Sequence, residues 1–119
     1  MDGISAYREN TVTTESKGRL IVLLYDGAIK FLRLAQQELD AGDFAKKGEY
    51  INKAVDIFIE LDTCLDMESG GEIAQNLRSL YQFMRRHLSD ANTQRDPQRI
   101  GEVIGILSDL KEAWAAIAE

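Results

Sequence analysis

Apolar side chains crowd the stretch from Leu20 to Ala35, around more of a helix than one stripe would occupy. At 100° per residue, Leu20, Leu24, Gly27, Phe31 and Leu34 form one seam. Ile21, Tyr25, Ala28, Leu32, Ala35 and Leu39 form a second, roughly 100° away. Only Asp26, Lys30, Arg33, Gln37 and Asp40 mark a narrow wet strip. A peripheral amphipathic helix needs a single apolar stripe, so this helix must be covered on two sides. Either a bundle does all the covering, or a partner chain does some of it.

The same 3.6-residue period predicts three more helices. The first helix is expected from about Ser16, as its cap, to Asp40. Ala41-Gly42-Asp43 breaks the pattern, with Gly42 suited to a left-handed helix end and Asp43 to the next cap. The second helix carries Tyr50, Ile51, Ala54, Val55, Ile57, Phe58, Leu61 and Leu65. Ser69-Gly70-Gly71-Glu72 then reads as a break with a capping box, Ser69 and Glu72 satisfying two orphan N–H groups reciprocally. The third helix places Ile73, Leu77, Leu80, Met84, Leu88 and Ala91 on one face. Asp96-Pro97 opens the fourth: an acidic cap, then the chain's one proline at the first helical position, where its missing N–H costs nothing. Ile100, Val103, Ile104, Leu107, Leu110, Trp114 and Ile117 complete that helix. Helices of similar length joined by short connections put neighbours antiparallel. The predicted fold is all-α: an up-down-up-down four-helix bundle over residues 16–119. Residues 1–15, Thr-rich with Ile4, Tyr7 and Val12 as apolar studs, form an extended N-terminal arm that can lie on a surface and come off again.

Composition narrows the function. With 119 residues, 45% apolar and 29% charged, the chain has the make-up of one ordinary globular domain. No apolar run approaches a membrane span, and the first residues lack the pattern of a secretory signal, so the cytoplasm is the expected compartment, without membrane insertion. A net charge of -6 argues against nucleic acid as a partner, and the local cluster Arg85-Arg86-His87 reads as a solvated helix face rather than a phosphate site. Cys64 is alone, at helical spacing from Tyr50 and Ile57, and reads as a packing residue.

Helical bundles often hold metals, but a di-iron site needs Glu-x-x-His on each of two helices. Here His87 is the one histidine and Met84 stands three residues before it. A haem on His87 with Met84 or Met67 lacks an attachment motif, and no phosphate loop or nucleophile elbow is present. Glu68 and Glu72 read as charges favouring a helix N-terminus. No enzyme activity and no cofactor are expected. What remains is an apolar surplus: Ile29, Ile59, Tyr81, Phe83 and Ile106 lie away from the central seams and suggest a hydrophobic groove or an oligomer contact. A homo-oligomeric helical scaffold, covered by its own copies, is the alternative to a binding protein for another chain.

Several segments together resemble the flagellar secretion chaperone family FliS. They are Tyr7, Asn10, Val12 and Thr14, then Leu20-Ile21, Leu24 through Ile29 and Phe31-Leu32, then Leu61, Leu65-Asp66, Gly70 through Ala74, Asn76-Leu77 and Leu80-Tyr81. Ala91-Asn92, Asp96, Glu102-Val103 and Ala113-Trp114 also fit, so the resemblance runs along nearly the whole chain. It implies a helical bundle of the bacterial cytosol that binds the disordered C-terminal segment of flagellin in hydrophobic grooves and prevents premature polymerisation. It also implies delivery to the cytoplasmic domain of the flagellar type III export gate. Ile4, Tyr7, Asn10 and Val12 are then expected to serve gate docking or to cap the groove, and Leu20, Leu24, Ile57, Phe58, Leu61, Tyr81 and Ile106 to line it. Family members commonly carry Ala-Ser-Pro at the entrance to the first helix, where this chain has Glu15-Ser16-Lys17. The rigid proline is gone, and Lys17-Gly18 is expected to loosen the arm's hinge.

Overall fold

The computed structural model describes residues 14–118, which form four helices. They are α1 (Thr14–Asp40), α2 (Phe44–Thr63), α3 (Gly71–Gln94) and α4 (Pro97–Ala118). Helix α1, at 27 residues, spans about 40 Å. Each helix packs on its neighbours in the chain, and α1 also packs on α4, which closes the ring. Cross-contacts fix the directions. Phe31 of α1 stacks on Tyr50 of α2, Lys47 near the start of α2 bonds Asn92 near the end of α3, and Asp26 of α1 pairs with Lys111 of α4. The expected antiparallel bundle is what forms.

The core divides the two seams of α1. Ile21, Tyr25, Ala28, Leu32 and Ala35 are buried, together with Ile51, Ala54, Phe58 and Leu61 of α2, Met84, Leu88 and Ala91 of α3, and Ile100, Val103 and Leu107 of α4. The other seam, Leu20, Leu24, Gly27, Phe31 and Leu34, is only half-buried throughout. At the centre, the hydroxyls of Tyr25 and Tyr81 share a hydrogen bond of 2.7 Å, and the Tyr81 ring also lies against Phe58. Burial pushes both phenols above their ordinary pKa. They therefore remain neutral at any physiological pH, each supplying the partner the other needs.

The helix ends follow local chemistry, with two departures from expectation. Gly42 adopts φ +80°, and the Asp43 side chain accepts from the Lys46 N–H, capping α2 as anticipated. Asp96 Oδ1 likewise accepts from the Gln98 N–H at the start of α4. The capping box at Ser69 does not form. The Ser69 hydroxyl and N–H both turn back to the Asp66 carboxylate, and α3 begins after Gly70 with no side-chain cap. These bonds hold the Asp66 carboxyl below its ordinary pKa. Asp66 stands three residues before Ser69 and is charged, and by accepting from both the Ser69 N–H and hydroxyl it turns that side chain away from the helix start. Gly70 is required here because a Cβ would collide with the Asp66 carbonyl. The second departure is at α1, which already includes Ser16, Lys17 and Gly18. With no proline to stop it, the helix continues back to Thr14, and the expected hinge at Lys17-Gly18 is helical.

One end of the bundle is fastened by polar contacts. Lys47 is buried, and its ammonium donates to both the backbone oxygen and Oδ1 of Asn92, at 2.9 and 2.5 Å. Burial and the nearby Arg95 lower its pKa. Arg95 ends α3 in the left-handed conformation, φ 53°, and its guanidinium lies 3.8 Å from the Phe44 ring centroid. The two short connections, α1 to α2 and α3 to α4, are thereby tied together.

The buried tyrosine pair yields a stability prediction. Tyr81→Phe leaves the buried Tyr25 hydroxyl with Trp114 as its remaining partner and is expected to cost about 1 kcal/mol. Tyr25→Phe with Tyr81→Phe removes both groups, and denaturant titration should find the double variant less destabilised than the two single losses summed.

Candidate functional site

Every helix keeps apolar surface in reach of solvent. Leu23 of α1 is 66% exposed and Ile73 of α3 is 72% exposed, while Ile59 of α2 and Phe83 of α3 are also open. Ile106 of α4 is half-buried and lines an open groove of about 500 Å³ between α3 and α4, with Phe83, His87, Glu102 and Asp109. There the His87 ring stacks on Phe83 at 5.1 Å, and its Nε2 donates to Glu102 Oε1 at 2.6 Å.

The α1–α2 seam is closely packed. The two helices approach closely at Gly27, where a Cβ would come within 3.2 Å of Ile57 Cδ1. Leu20 and Leu24 lie on the same half-buried seam of α1. Polar grooves occupy the other flanks. One of about 240 Å³ between α1 and α4 is lined by Asp26, Arg33 and Lys111, and one of about 460 Å³ lies between α2 and α3.

At the end of the bundle opposite the Lys47–Asn92 contact, an apolar cavity of about 210 Å³ opens where α1 begins. Ile21, Leu65, Ile73, Leu77 and Trp114 supply most of its apolar wall, with Cys64 beside them. Ile73 was expected on the packed face of α3. Instead the first turn of α3 overhangs this cavity, because the preceding connection folds back on Asp66 rather than onto the core.

The residues expected to line a groove therefore separate into two sets. Leu20, Leu24, Ile57 and Ile106 are half-buried, and of these Ile106 lines the α3–α4 groove. Phe58, Leu61 and Tyr81 are at most 2% exposed and belong to the core. The correction has a simple cause: α1 sits over the face of α2 that carries Phe58 and Leu61, and Tyr81 points inward to its partner Tyr25. Ile29, also expected off the core, is buried, whereas Ile59 and Phe83 are open. Leu23 and the overhanging Ile73 were missed as surface residues. Ile4, Tyr7, Asn10 and Val12 lie outside the described residues.

Among the described residues, no buried side-chain nitrogen or oxygen lacks a partner, and no three His, Cys, Asp or Glu side chains gather at one point. No helix of the described chain is long and apolar enough to cross a membrane.

These features define a four-helix bundle that offers an apolar groove and an end cavity, with several of its charged groups held in ion pairs and helix caps. The family model of the flagellar protein FliS matches residues 1–119. A flagellar secretion chaperone FliS of Salmonella typhimurium is 45% identical over 121 residues, covering 98% of this chain and 90% of that protein. One of Vibrio cholerae is 38% identical over 118 residues, covering 96% and 87%. One of Bacillus subtilis is 36% identical over 110 residues, covering 92% and 81%. The chain belongs to the FliS family of flagellar secretion chaperones.

The division of core from groove is testable by a pair of substitutions. Phe58→Ala is expected to cost about 3 to 5 kcal/mol in chemical denaturation, as for a large core aromatic. Ile73→Ser should change stability by no more than about 0.5 kcal/mol, as at an exposed site.

Proposed function

We propose that this protein binds the disordered C-terminal segment of flagellin in the bacterial cytosol, holds it from premature polymerisation and delivers it to the cytoplasmic domain of the flagellar export gate. The observation that carries the reading is the distribution of open apolar side chains. Leu23, Ile59, Ile73, Phe83 and Ile106 lie on all four helices rather than in one patch. A self-associating scaffold is served by one contiguous face. A disordered client loses conformational entropy on binding, so its affinity is built from a long wrapped surface of many modest contacts.

The arm fits the same scheme. Val12 stands two residues before the start of α1, and the apolar end cavity opens at that start. At about 3.3 to 3.6 Å per extended residue, Val12 and Tyr7 both reach the cavity, and so does Ile4. In the empty chaperone these residues cover apolar surface. Client binding displaces them and exposes Ile4 and Tyr7, with Asn10, for the gate. Loading and docking are coupled in this way.

Calorimetric titration with the last ~40 residues of the cognate flagellin, an extended segment of the class that orders on binding, tests the first step. A one-to-one complex with a negative heat-capacity change is the expected result. Absence of binding by a folded monomer would overturn the client assignment, and absence of binding by a stable oligomer would favour the scaffold. For the arm, deletion of residues 1–13 should leave the helical signal intact by circular dichroism while weakening binding to the gate domain. Global unfolding of the truncated protein would refute the assigned role.

A further inference from the structure

The groove between α2 and α3 differs from the other flanks of the bundle in its charge. Its floor is Ile51 and Val55 of α2, and Arg85 and Arg86 of α3 stand over it. No carboxylate lines it, although acidic residues outnumber basic ones, 20 to 14, in the chain as a whole. In the α3–α4 groove His87 is matched by Glu102, and in the α1–α4 groove Lys111 is matched by Asp26. The neighbouring arginines are matched too: Arg78 pairs with Asp62, and Arg99 with Asp90 and Asp96. Arg85 and Arg86 form no ion pair among the described residues. At one end of the groove stands Asn92, whose backbone and side-chain oxygens accept from the buried Lys47 ammonium.

The rim carries Asn52 from α2 and Gln82 and Ser89 from α3. These amides and the hydroxyl are both donors and acceptors. A helical ligand has its backbone groups already bonded and could not use them, whereas an extended segment presents free N–H and C=O groups. An extended segment also alternates its side chains, so every second one can rest on the Ile51–Val55 floor while the intervening ones reach outward. A long polyanion such as nucleic acid would extend beyond the groove and meet the chain's overall net charge of -6. A short acidic stretch of peptide would not.

We propose that the α2–α3 groove receives an extended, acidic stretch of the client, whose carboxylates pair with Arg85 and Arg86 while its backbone bonds the rim. This rests on the client assignment above and gives the chemistry of one of its contact surfaces. Arginine suits the role because its planar fork meets a carboxylate through two parallel hydrogen bonds. The apolar groove and end cavity supply affinity without direction; the guanidinium pair sets where along the client the wrapping begins.

The test is titration of the flagellin C-terminal segment against wild-type protein and against Arg85→Gln with Arg86→Gln, at low and at moderate salt. The double variant is expected to bind about tenfold more weakly at low salt and to lose most of the salt dependence. Exchanging the acidic residues of the segment for their amides should weaken wild-type binding by a similar factor and leave binding of the double variant unchanged. Circular dichroism verifies the fold. Arg86→Gln alone, at an exposed position, supplies the same comparison if the double variant does not fold. Equal affinity and equal salt dependence in wild-type and folded variant would overturn this inference and leave the client assignment standing. Failure of the wild-type protein to bind the segment at any salt would overturn both.

Discussion

The hydrogen bond between Tyr25 and Tyr81 is the constraint around which the bundle is arranged. Helices α1 and α3 are diagonal partners that run the same way and meet across the core chiefly through these two rings. Apolar contacts alone tolerate sliding by a turn, since one aliphatic side chain replaces another at little cost. A buried hydroxyl does not tolerate it, because a shift strands both oxygens away from water. Once this diagonal is set, Phe58 closes on Tyr81 from α2, and the small Ala28 and Ala35 let α1 settle into the core between its neighbours. The half-buried seam of α1 is a consequence of that placement. Rotated toward Tyr81, the helix cannot also bury Leu20, Leu24 and Leu34.

Much of this was legible in the chain. Four periodic segments, the left-handed glycine at position 42, the Asp43 cap and the Asp96-Pro97 start are local signals, and local physics decides them. The failures concern competition and neighbours. Ser69 had the spacing of a capping box, but the nearer carboxylate of Asp66 took its hydroxyl. Periodicity gives the angle of a residue on its own helix without saying which helix lies at that angle. Tyr81 therefore looked like surplus and proved central, while Ile73 looked packed and proved open. One signal was available and unused. Lys47 continues the 3-4 stripe of Ile51, Ala54, Phe58 and Leu61, and a lysine on a core stripe implies an acceptor waiting inside, here Asn92.

Membership of the FliS family, the open apolar residues and Arg85 and Arg86, which form no ion pair among the described residues, fit the proposed task of holding a segment that has no fold of its own. A deep pocket would grip one short piece and leave the rest exposed. Shallow contacts spread around four helices suit a long client, and they release it stepwise, since no single contact is strong. Ile4, Tyr7 and Val12 stood out as apolar studs in a polar segment, but studs without periodicity suggest a surface contact and no partner, so the expected role in docking came from family likeness alone.

The two ends of the bundle are built unequally. Lys47 with Asn92 and Arg95 with Phe44 bolt one end, whereas the other holds an apolar cavity under an overhanging turn. Local opening in a helical protein starts where side-chain cross-links are fewest. Opening that began at the cavity would leave Lys47 with Asn92 and Arg95 with Phe44 holding the helices in register. A chaperone that breathes from one end only can let a client's leading residues in or out while the opposite end keeps the helices in register, so loading and unloading become an ordered, zipper-like process rather than a loosening of the whole molecule.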